Sequence, residues 1–286
     1  MSQMTNDMIR PVLAGVIGHP VGHSLSPLIH TIWAKRAGID GYYIPLDVSP
    51  AYDDFARAMD ALRAVGFAGV NVTIPHKENA LRYADEASEN ASRAGAANML
   101  TFSTGAAAAD NSDIAGFSEA VRAQSSAPGK TALVLGAGGA ARGVVLALRS
   151  LGVSDIMIAN RTRDKAGKLA ADFSLEVIDW AQRAQALETV DILVNTTSLG
   201  MSGQPPLDVD LARLNPAALV ADIVYSPLET PLLEGAARKG HKTINGLAML
   251  MHQAAPGFRK WFGGAAAVDD ALYTELVREL KRQNRT

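Results

Sequence analysis

Residues 131–141 read TALVLGAGGAA and give the strongest indication of how the chain folds. The apolar run TALVL is typical of a buried strand, and the small-residue run after the glycines opens a helix. Gly136 permits a tight turn, Gly138 lets the backbone approach a pyrophosphate, and Ala141 lets helix and strand pack closely. Because free amides at a helix start bind phosphates, this context favours a dinucleotide-binding βαβ unit over an ordinary glycine-rich turn.

The residues after the next predicted strand indicate which dinucleotide is bound. An NAD site usually carries Asp or Glu here to bind the ribose 2′-hydroxyl, and that charge would repel a 2′-phosphate. This chain instead has Asn160, Arg161 and Thr162, with Lys165 close behind. A guanidinium binds a phosphate in a bidentate manner and stacks on adenine. We therefore expect NADP(H) as the cofactor; the alternative is an ordinary basic turn in solvent.

Another predicted strand of the same unit ends in the turn NTTSLGM, residues 195–201. Ligands of parallel sheets lie outside the carboxyl ends of the strands. This turn should therefore face the nicotinamide half of the cofactor, an interpretation that depends on its position rather than on its composition.

Short apolar runs alternate with longer helical patterns along the chain, which is typical of a parallel sheet covered by helices. With 286 residues, the chain is long enough for two domains. We predict an α/β fold with an N-terminal α/β domain and a doubly wound, Rossmann-type domain. The predicted strands are residues 12–17, 41–46, 69–74, 98–102, 132–135, 155–159, 192–195 and 219–223. The predicted helices include residues 27–37, 51–64 and 269–282, with a connection near 125–130.

Composition excludes several classes of protein. The formal net charge of −2 argues against a nucleic-acid partner. The absence of cysteine excludes disulfides and cysteine zinc sites and fits a reducing compartment. No apolar run is long enough to span a membrane, and the N-terminal MSQMTNDMIR lacks the layout of a signal peptide. We therefore expect a cytoplasmic protein with a small-molecule substrate.

The loop GHPVGHSLSP, residues 18–27, places Ser24 and Ser26 just before a helix. Each hydroxyl donates one hydrogen bond, and a helix N-terminus favours a nearby anion, so the pair would suit a substrate carboxylate. A helix N-cap is the alternative for a single serine. His19 and His23 lie four apart in this loop without a neighbouring acid or cysteine, so we expect no metal site.

The stretch FAGVNVTIPHK, residues 67–77, carries polar groups to the carboxyl end of an apolar strand. Asn71 and Thr73 lie on the strand, and Lys77 follows it. Lys77 alone would suit a surface charge. In combination with the two serines, with Asn98 and with the run NSD at residues 111–113, it predicts a site for a polyhydroxy acid.

These motifs closely resemble those of the shikimate dehydrogenase family, and the matches run from about residue 12 to residue 262. The matching motifs are GHPVGHSLSP (18–27), GVNVTIPHK (69–77), ANM (97–99), GAGGAAR (136–142), NRT (160–162), NTTSLGM (195–201), DIVY (222–225) and MLMHQAA (249–255). The resemblance implies an oxidoreductase that uses NADPH to reduce 3-dehydroshikimate reversibly to shikimate, a step of aromatic amino-acid biosynthesis.

The resemblance also implies roles for individual residues. Lys77 and Asp113 would form the catalytic pair, and Ser24 and Ser26 would bind the substrate carboxylate. The other substrate-binding residues would be Asn71, Thr73, Lys77, Asn98, Asp113, Tyr225 and Gln253. The cofactor-binding residues would be Gly136, Ala137, Gly138, Gly139, Ala140, Arg142, Asn160, Arg161, Thr162, Lys165, Thr196, Thr197, Ser198, Val224 and Gly246. No residue would bind a metal.

The family fold further implies a discontinuous substrate domain. It would comprise residues 1–114, completed by helices within residues 248–286, with an NADP-binding domain at residues 115–247. This return of the chain would bring Gln253 to Ser24 despite their separation in sequence. A monomer or a homodimer is expected.

One motif departs from the family pattern. The family places Gly directly after the catalytic Asp, as in N-T-D-G-x-G, whereas Ile114 follows Asp113 here. The bulkier turn resembles variants among shikimate/quinate-type paralogues, so a quinate or aminoshikimate dehydrogenase on the same scaffold remains an alternative. A non-catalytic NADP-binding sensor is an alternative of another class, although the retention of Lys77 and Asp113 argues against it.

Overall fold

A computed structural model of the chain describes residues 10–126 and 128–283, and its N-terminal half is built on a six-stranded sheet. The strands are β1 (Val12–Gly18), β2 (Gly41–Asp47), β3 (Phe67–Val72), β4 (Glu86–Ala87), β5 (Met99–Ser103) and β6 (Ala106–Asp110), in the spatial order β2-β1-β3-β5-β6-β4. Strands β1, β2 and β3 are parallel, β5 is antiparallel to both of its neighbours, and β4 pairs in parallel with β6. The carboxyl ends of β1 and β3 therefore meet at one edge of the sheet.

The helices of this half are α1 (Ser26–Ala37), α2 (Tyr52–Ala64), α3 (Lys77–Tyr83) and α4 (Glu89–Ala94). Helix α1 carries Pro27 in its first turn, where a missing amide costs no hydrogen bond. It ends at Gly38, whose φ of 65° is left-handed and suits glycine. Ile29 and Trp33 lie on its buried face. Helix α1 is thereby fixed against the core with its N-terminus at the edge where β1 ends.

The second half contains a wholly parallel sheet. Its strands are β7 (Thr131–Leu135), β8 (Asp155–Ala159), β9 (Glu176–Ile178), β10 (Ile192–Asn195), β11 (Leu219–Asp222) and β12 (Lys242–Ile244). The helices of this half are α5 (Asp113–Gln124), α6 (Gly139–Ser150), α7 (Arg163–Phe173) and α8 (Pro231–Arg238). The spatial order β9-β8-β7-β10-β11-β12 is the doubly wound order 3-2-1-4-5-6. The order reverses between β7 and β10, and a dinucleotide binds at such a reversal.

Two further helices, α9 (Gly246–Phe262) and α10 (Asp270–Gln283), return the chain to the first half. Met249 of α9 packs in the core of the second sheet, whereas Phe258 of the same helix packs in the core of the first. Gly116 of α5 faces α9, and a Cβ there would lie 2.5 Å from the Cβ of Gln253. Only a glycine permits this approach, so α5 and α9 join the two halves at close range.

The predicted α/β class with a doubly wound second sheet is confirmed, and the predicted strands lie within two residues of observed ones. The strand predicted at residues 69–74 is observed two residues earlier in the chain, as β3. Gly69 is an interior strand residue, where any side chain would collide with Trp261. Four short strands were not predicted; they are β4, β6, β9 and β12.

The helix predicted over residues 269–282 is confirmed as α10, whose Leu272, Leu276 and Leu280 pack in the first core. Within residues 10–126 and 128–283, no helix has the length and apolar character to cross a membrane. The N-terminal stretch considered as a leader lies, apart from Arg10, outside the described residues, as does position 127 of the predicted connection.

Candidate active site

Lys77 and Asp113 begin two different helices and form an ion pair. Lys77 is the first residue of α3, directly after β3, and Asp113 is the first residue of α5. The Nζ atom of Lys77 lies 2.5 Å from Oδ2 of Asp113. The two side chains are 17% and 6% exposed, so the carboxylate is buried while the ammonium retains an open side. The structure thus brings together the two residues whose catalytic role was predicted.

Asn98 holds the carboxylate of Asp113 from its other side. The Nδ2 atom of Asn98 lies 2.8 Å from Oδ1 of Asp113 and 3.1 Å from Oε1 of Gln253. The Oδ1 atom of Asn98 accepts a hydrogen bond of 2.7 Å from the amide of Ser112. Since both carboxylate oxygens have a donor, the side chain of Asp113 is held in one orientation beside the ammonium.

Gln253 reaches this site from α9. The hydroxyl of Ser112 donates to the backbone carbonyl of Gln253 at 2.8 Å. The glycine at position 116 lets α5 approach the backbone of α9 at this residue. Gln253 therefore lies next to Asn98, 155 positions away in the sequence. Helix α9 thus brings Gln253 to Asn98 and Ser112, while its predicted approach to Ser24 stays a prediction.

The remaining candidates of the first half lie near the carboxyl ends of β1 and β3. The Oγ atom of Ser24 accepts a hydrogen bond of 3.2 Å from the amide of Ser26, whereas the N-cap position of α1 is Leu25. The Nδ2 atom of Asn71 lies 3.3 Å from the carbonyl oxygen of residue 98. Thr73 follows β3 and is half-buried. Two hydroxyls and an amide are thus placed on the edge that also carries Lys77.

Tyr225 follows β11 of the second sheet, yet its ring packs against the core of the first half. Burial raises the pKa of its phenol above the ordinary value of 10.0. The hydroxyl therefore keeps its proton at physiological pH and can donate a hydrogen bond.

A pocket lies at the carboxyl ends of β7, β8 and β10. Its lining residues are Gly136, Ala137, Gly138, Asn160, Arg161, Trp180, Thr196 and Thr197. All except Trp180 were predicted as cofactor-binding residues. Trp180 stands in a short 3-10 helix after β9 and belongs to no motif, so the sequence carried no signal for it.

Gly136 has two independent reasons to be glycine. Its φ is 107°, and a Cβ there would lie 2.6 Å from Oγ1 of Thr196. In contrast, a Cβ on Gly138 or Gly139 would meet no atom within 4 Å. The first glycine closes the turn against the loop after β10, while the next two leave open space over the helix start. This open space is where the motif predicts a pyrophosphate.

A buried network holds the loops after β10 and β11. The carboxylate of Asp222 accepts hydrogen bonds from Nδ2 of Asn195 at 3.0 Å, from the amide of Val224 at 3.0 Å and from the hydroxyl of Thr230 at 2.7 Å. Burial raises the pKa of Asp222, although these hydrogen bonds lower it. Asn195 also accepts from the hydroxyl of Thr197, a pocket residue, at 2.7 Å. Asp222 belongs to the DIVY motif, but no spacing in the sequence indicates this network.

Other predicted cofactor residues lie outside the pocket lining. The guanidinium of Arg142 contacts the carbonyl of Ala94 and forms an ion pair of 2.8 Å with Asp172. Lys165 and Ser198 are exposed. The amide of Gly246 donates to the carbonyl of Val224 at 3.1 Å. The cofactor roles of these residues remain predictions, and the side chain of Arg142 is already engaged by Ala94 and Asp172.

The pocket and the ion pair share one helix. Helix α6 begins at Gly139 in the glycine-rich turn, and one turn later a Cβ on Gly143 would lie 3.3 Å from the Cβ of Asp113. A dinucleotide whose pyrophosphate binds at the N-terminus of α6 therefore lies about one helical turn from the contact between α6 and Asp113. This arrangement can place a redox cofactor and a proton donor on the same substrate.

The histidine loop gives no sign of a metal site. Within the part of the chain that the structure describes, no group of three His, Cys, Asp or Glu residues is arranged to hold an ion. His19 has no acid near it in the sequence, but it has one in the folded structure. Asp47 at the end of β2 lies 2.6 Å from Nδ1 of His19, because β1 and β2 are adjacent parallel strands.

Two family models match the chain. Residues 16–100 match the shikimate dehydrogenase substrate binding domain, and residues 118–202 match the shikimate / quinate 5-dehydrogenase model. Among curated proteins, the shikimate dehydrogenase (NADP(+)) of Acidiphilium cryptum is 51% identical over 94% of this chain and 96% of its own length.

Solved structures of dehydrogenases are also similar to the chain. The chain is similar to shikimate 5-dehydrogenase from Thermus thermophilus in complex with NADP(H) and shikimate, with a TM-score of 0.84, 34% identity and coverage of 94% of this chain and 99% of that one. It is also similar to quinate dehydrogenase from Corynebacterium glutamicum in complex with NAD, with a TM-score of 0.85, 30% identity and coverage of 93% and 99%. From its motifs, its fold and these similarities, the chain belongs to the shikimate dehydrogenase family.

Proposed function

We propose that the chain catalyses the NADP-dependent, reversible reduction of 3-dehydroshikimate to shikimate. The observation that carries this proposal is the ion pair of Lys77 and Asp113 beside α6, the helix that begins in the glycine-rich turn. Relatives with about half of their residues identical carry the name of this NADP-linked activity.

The residues of the pocket fit NADP(H). The turn at Gly136 and the open space over Gly138 would hold the pyrophosphate at the start of α6. Asn160 and Arg161 line the pocket where an NAD enzyme carries an acid, and no carboxylate is among the lining residues. A guanidinium there would bind the 2′-phosphate. When bound, the cofactor supplies a hydride to the carbonyl carbon of the substrate.

The chain supplies the proton. The Lys77 ammonium would donate a proton to the carbonyl oxygen during reduction and recover one from the C3 hydroxyl during oxidation. Asp113 stabilises the charged ammonium and directs it, because its carboxylate is held from the other side by Asn98. Proton transfer by a positioned side chain contributes roughly 10²- to 10⁴-fold to the rate.

The polar groups around the pair suit a hydroxylated ring with one carboxylate. Ser24 and Ser26 at the start of α1 would bind the carboxylate, since hydroxyl donors and a helix N-terminus favour an anion. Asn71, Thr73, Asn98, Gln253 and Tyr225 would bind the ring hydroxyls. They offer neutral donors and acceptors, which suit hydroxyl groups.

A quinate or aminoshikimate dehydrogenase is the second candidate, favoured by one observation. Ile114 follows Asp113 where the family motif has glycine, and its side chain is buried in the second core. The turn that presents Asp113 is therefore bulkier than the motif requires. Arg161 in the pocket argues against the NAD-linked form of such an enzyme.

Steady-state kinetics with shikimate, quinate and aminoshikimate, each with NADP⁺ and NAD⁺, would test the proposal through the absorbance of the reduced nicotinamide. We expect the highest kcat/KM for shikimate with NADP⁺. A higher kcat/KM for quinate or aminoshikimate would favour the second candidate. If no acid of the panel is turned over although NADP⁺ binds, the chain is a sensor rather than an enzyme.

We further propose that residues 1–114 and 248–286 form the substrate domain and residues 115–247 the NADP-binding domain. Packing of Phe258 and of α10 in the first core supports this division. A cytoplasmic location is proposed because a chain without cysteine fits a reducing compartment. A monomer or a homodimer remains the expected state.

A further inference from the structure

We propose that Tyr43 is a positioning residue that fixes the amide of Asn71 and so determines how the site recognises one ring hydroxyl of the substrate. The inference rests on the proposed function, and it concerns a residue outside the family motifs. Tyr43 contacts Asn71, a predicted substrate-binding residue, from the side of the core.

The phenol of Tyr43 is buried although it stands on an edge strand. Side chains alternate along β2: Tyr42 is 58% exposed, whereas Tyr43 is 6% exposed. The Tyr43 ring stacks on the imidazole of His30, with 3.8 Å between centroids and 13° between planes. His30 belongs to α1 and is itself fully buried. Packing therefore holds the ring of Tyr43 in one position, and its hydroxyl has a fixed direction.

That hydroxyl is a donor to Asn71. It lies 2.8 Å from Oδ1 of Asn71. Burial raises the pKa of the Tyr43 phenol well above 10.0, so the group keeps its proton. Because Oδ1 of Asn71 accepts from Tyr43, its Nδ2 must point the other way, toward the carbonyl of Asn98 at 3.3 Å. An asparagine side chain can be placed in two orientations that exchange its oxygen and its nitrogen. The Tyr43 hydroxyl selects the orientation in which the oxygen of Asn71 faces it.

Through the stacked ring of His30, Tyr43 also contacts the helix that carries Ser26. Ser26 and His30 lie one turn apart on α1, on the same face of that helix. One phenol thus joins the helix that presents Ser26 to the strand that presents Asn71.

The chain of contacts continues to the ion pair. Asn71 contacts the carbonyl of Asn98, the amide of Asn98 contacts Asp113, and Asp113 pairs with Lys77. With Tyr43 and Asn98 occupying Oδ1 and one hydrogen of Nδ2, Asn71 retains a second N–H for a ligand. Asn71 would therefore act as a donor toward a ring hydroxyl oxygen, at a fixed position relative to the proton donor.

The test compares Tyr43→Phe with Tyr42→Phe, a matched control on the exposed face of the same strand. Wild-type turnover of shikimate is measured first. For Tyr43→Phe, we expect KM for shikimate to rise about tenfold, as one misplaced hydrogen bond would cost. The value of kcat should change less than about twofold, and KM for NADP⁺ should stay constant. Tyr42→Phe should match wild type in all three.

Two additional readouts separate positioning from a general structural role. In an Asn71→Ala background, Tyr43→Phe should have no further effect on KM, because its target is gone. The second readout uses 4-deoxyshikimate and 5-deoxyshikimate, one of which lacks the hydroxyl that Asn71 binds. With that analogue, wild type and Tyr43→Phe should have equal kcat/KM.

Unchanged KM for shikimate in Tyr43→Phe, or an additive effect with Asn71→Ala, would overturn the inference while leaving the proposed function intact. A Tyr43→Phe protein that fails to fold would also overturn it, since the hydroxyl would then serve stability. Absence of wild-type turnover with shikimate would refute the proposed function and the inference together.

Discussion

Replacing His30 with leucine is expected to make the stability of the protein less sensitive to acid. His30 is fully buried, and the rings around it are Trp33, Tyr43, Phe258, Trp261 and Phe262. Neither of its ring nitrogens has a hydrogen-bond partner among the described residues. Burial lowers its pKa from 6.5 to about 3, so the folded protein keeps the imidazole neutral.

The magnitude follows from proton linkage. As the pH falls below 6.5, His30 binds a proton in the unfolded chain but not in the folded one, down to a pH of about 3. The unfolded state is therefore favoured progressively as the pH falls. Between pH values of about 7.5 and 5, this single group should lower the free energy of unfolding by about 2 kcal/mol.

Urea unfolding of wild type and His30→Leu at several pH values would measure this contribution. The difference in unfolding free energy between the two proteins should shift by about 2 kcal/mol in favour of the variant from about pH 7.5 to about pH 5. His23→Leu, which changes an exposed histidine, should show no such shift. If the unfolding free energies of wild type and His30→Leu change with pH in parallel, His30 takes up its proton as readily in the folded protein as in the unfolded chain. That result would refute the lowered pKa.

Three further predictions concern the site and the helix contact. Lys77→Ala should lower kcat by roughly 10²- to 10⁴-fold while NADPH, followed by its fluorescence, binds nearly as in wild type; unchanged turnover would remove Lys77 from the chemistry. Arg161→Ala should raise KM for NADP⁺ about 10- to 100-fold and leave KM for NAD⁺ unchanged; equal effects would exclude a 2′-phosphate contact. Gly116→Ala should lower the urea-unfolding free energy by about 1–3 kcal/mol and raise KM for shikimate, because its Cβ would displace Gln253. Gly167→Ala on α7, where a Cβ meets nothing within 4 Å, should instead stabilise by up to about 1 kcal/mol; similar losses in both variants would contradict the packing argument.

Local signals explain which parts of the fold were predictable. The turn at Gly136 follows from glycine chemistry within a few residues, and the doubly wound sheet follows from the alternation of strands and helices. Strand β6 was missed because the alanines at 106–109 have low strand propensity. Antiparallel pairing with β5 through a turn at Gly105, where φ is 86°, overrides that preference.

The site was predictable only where a motif or the family resemblance carried it. Lys77, Asn98 and Asp113 were chosen on this basis, and their convergence depends on the pairing of β3 with β5 and on the packing of α5. Trp180 in the pocket and Tyr43 behind Asn71 were missed. Their roles arise from contacts between separate strands and loops, for which no spacing in the sequence gives a sign.

If Lys77 is the proton donor, its ammonium must lie beside the oxygen on the carbon that exchanges hydride with the nicotinamide. A crystal structure of the complex with NADP⁺ and shikimate would measure this directly. We expect Nζ of Lys77 to lie about 2.6–3.2 Å from the C3 oxygen of shikimate, with C3 facing the nicotinamide ring. A C3 oxygen well outside hydrogen-bond distance of Lys77, or a nicotinamide bound away from the carboxyl ends of β7 and β10, would contradict this expectation.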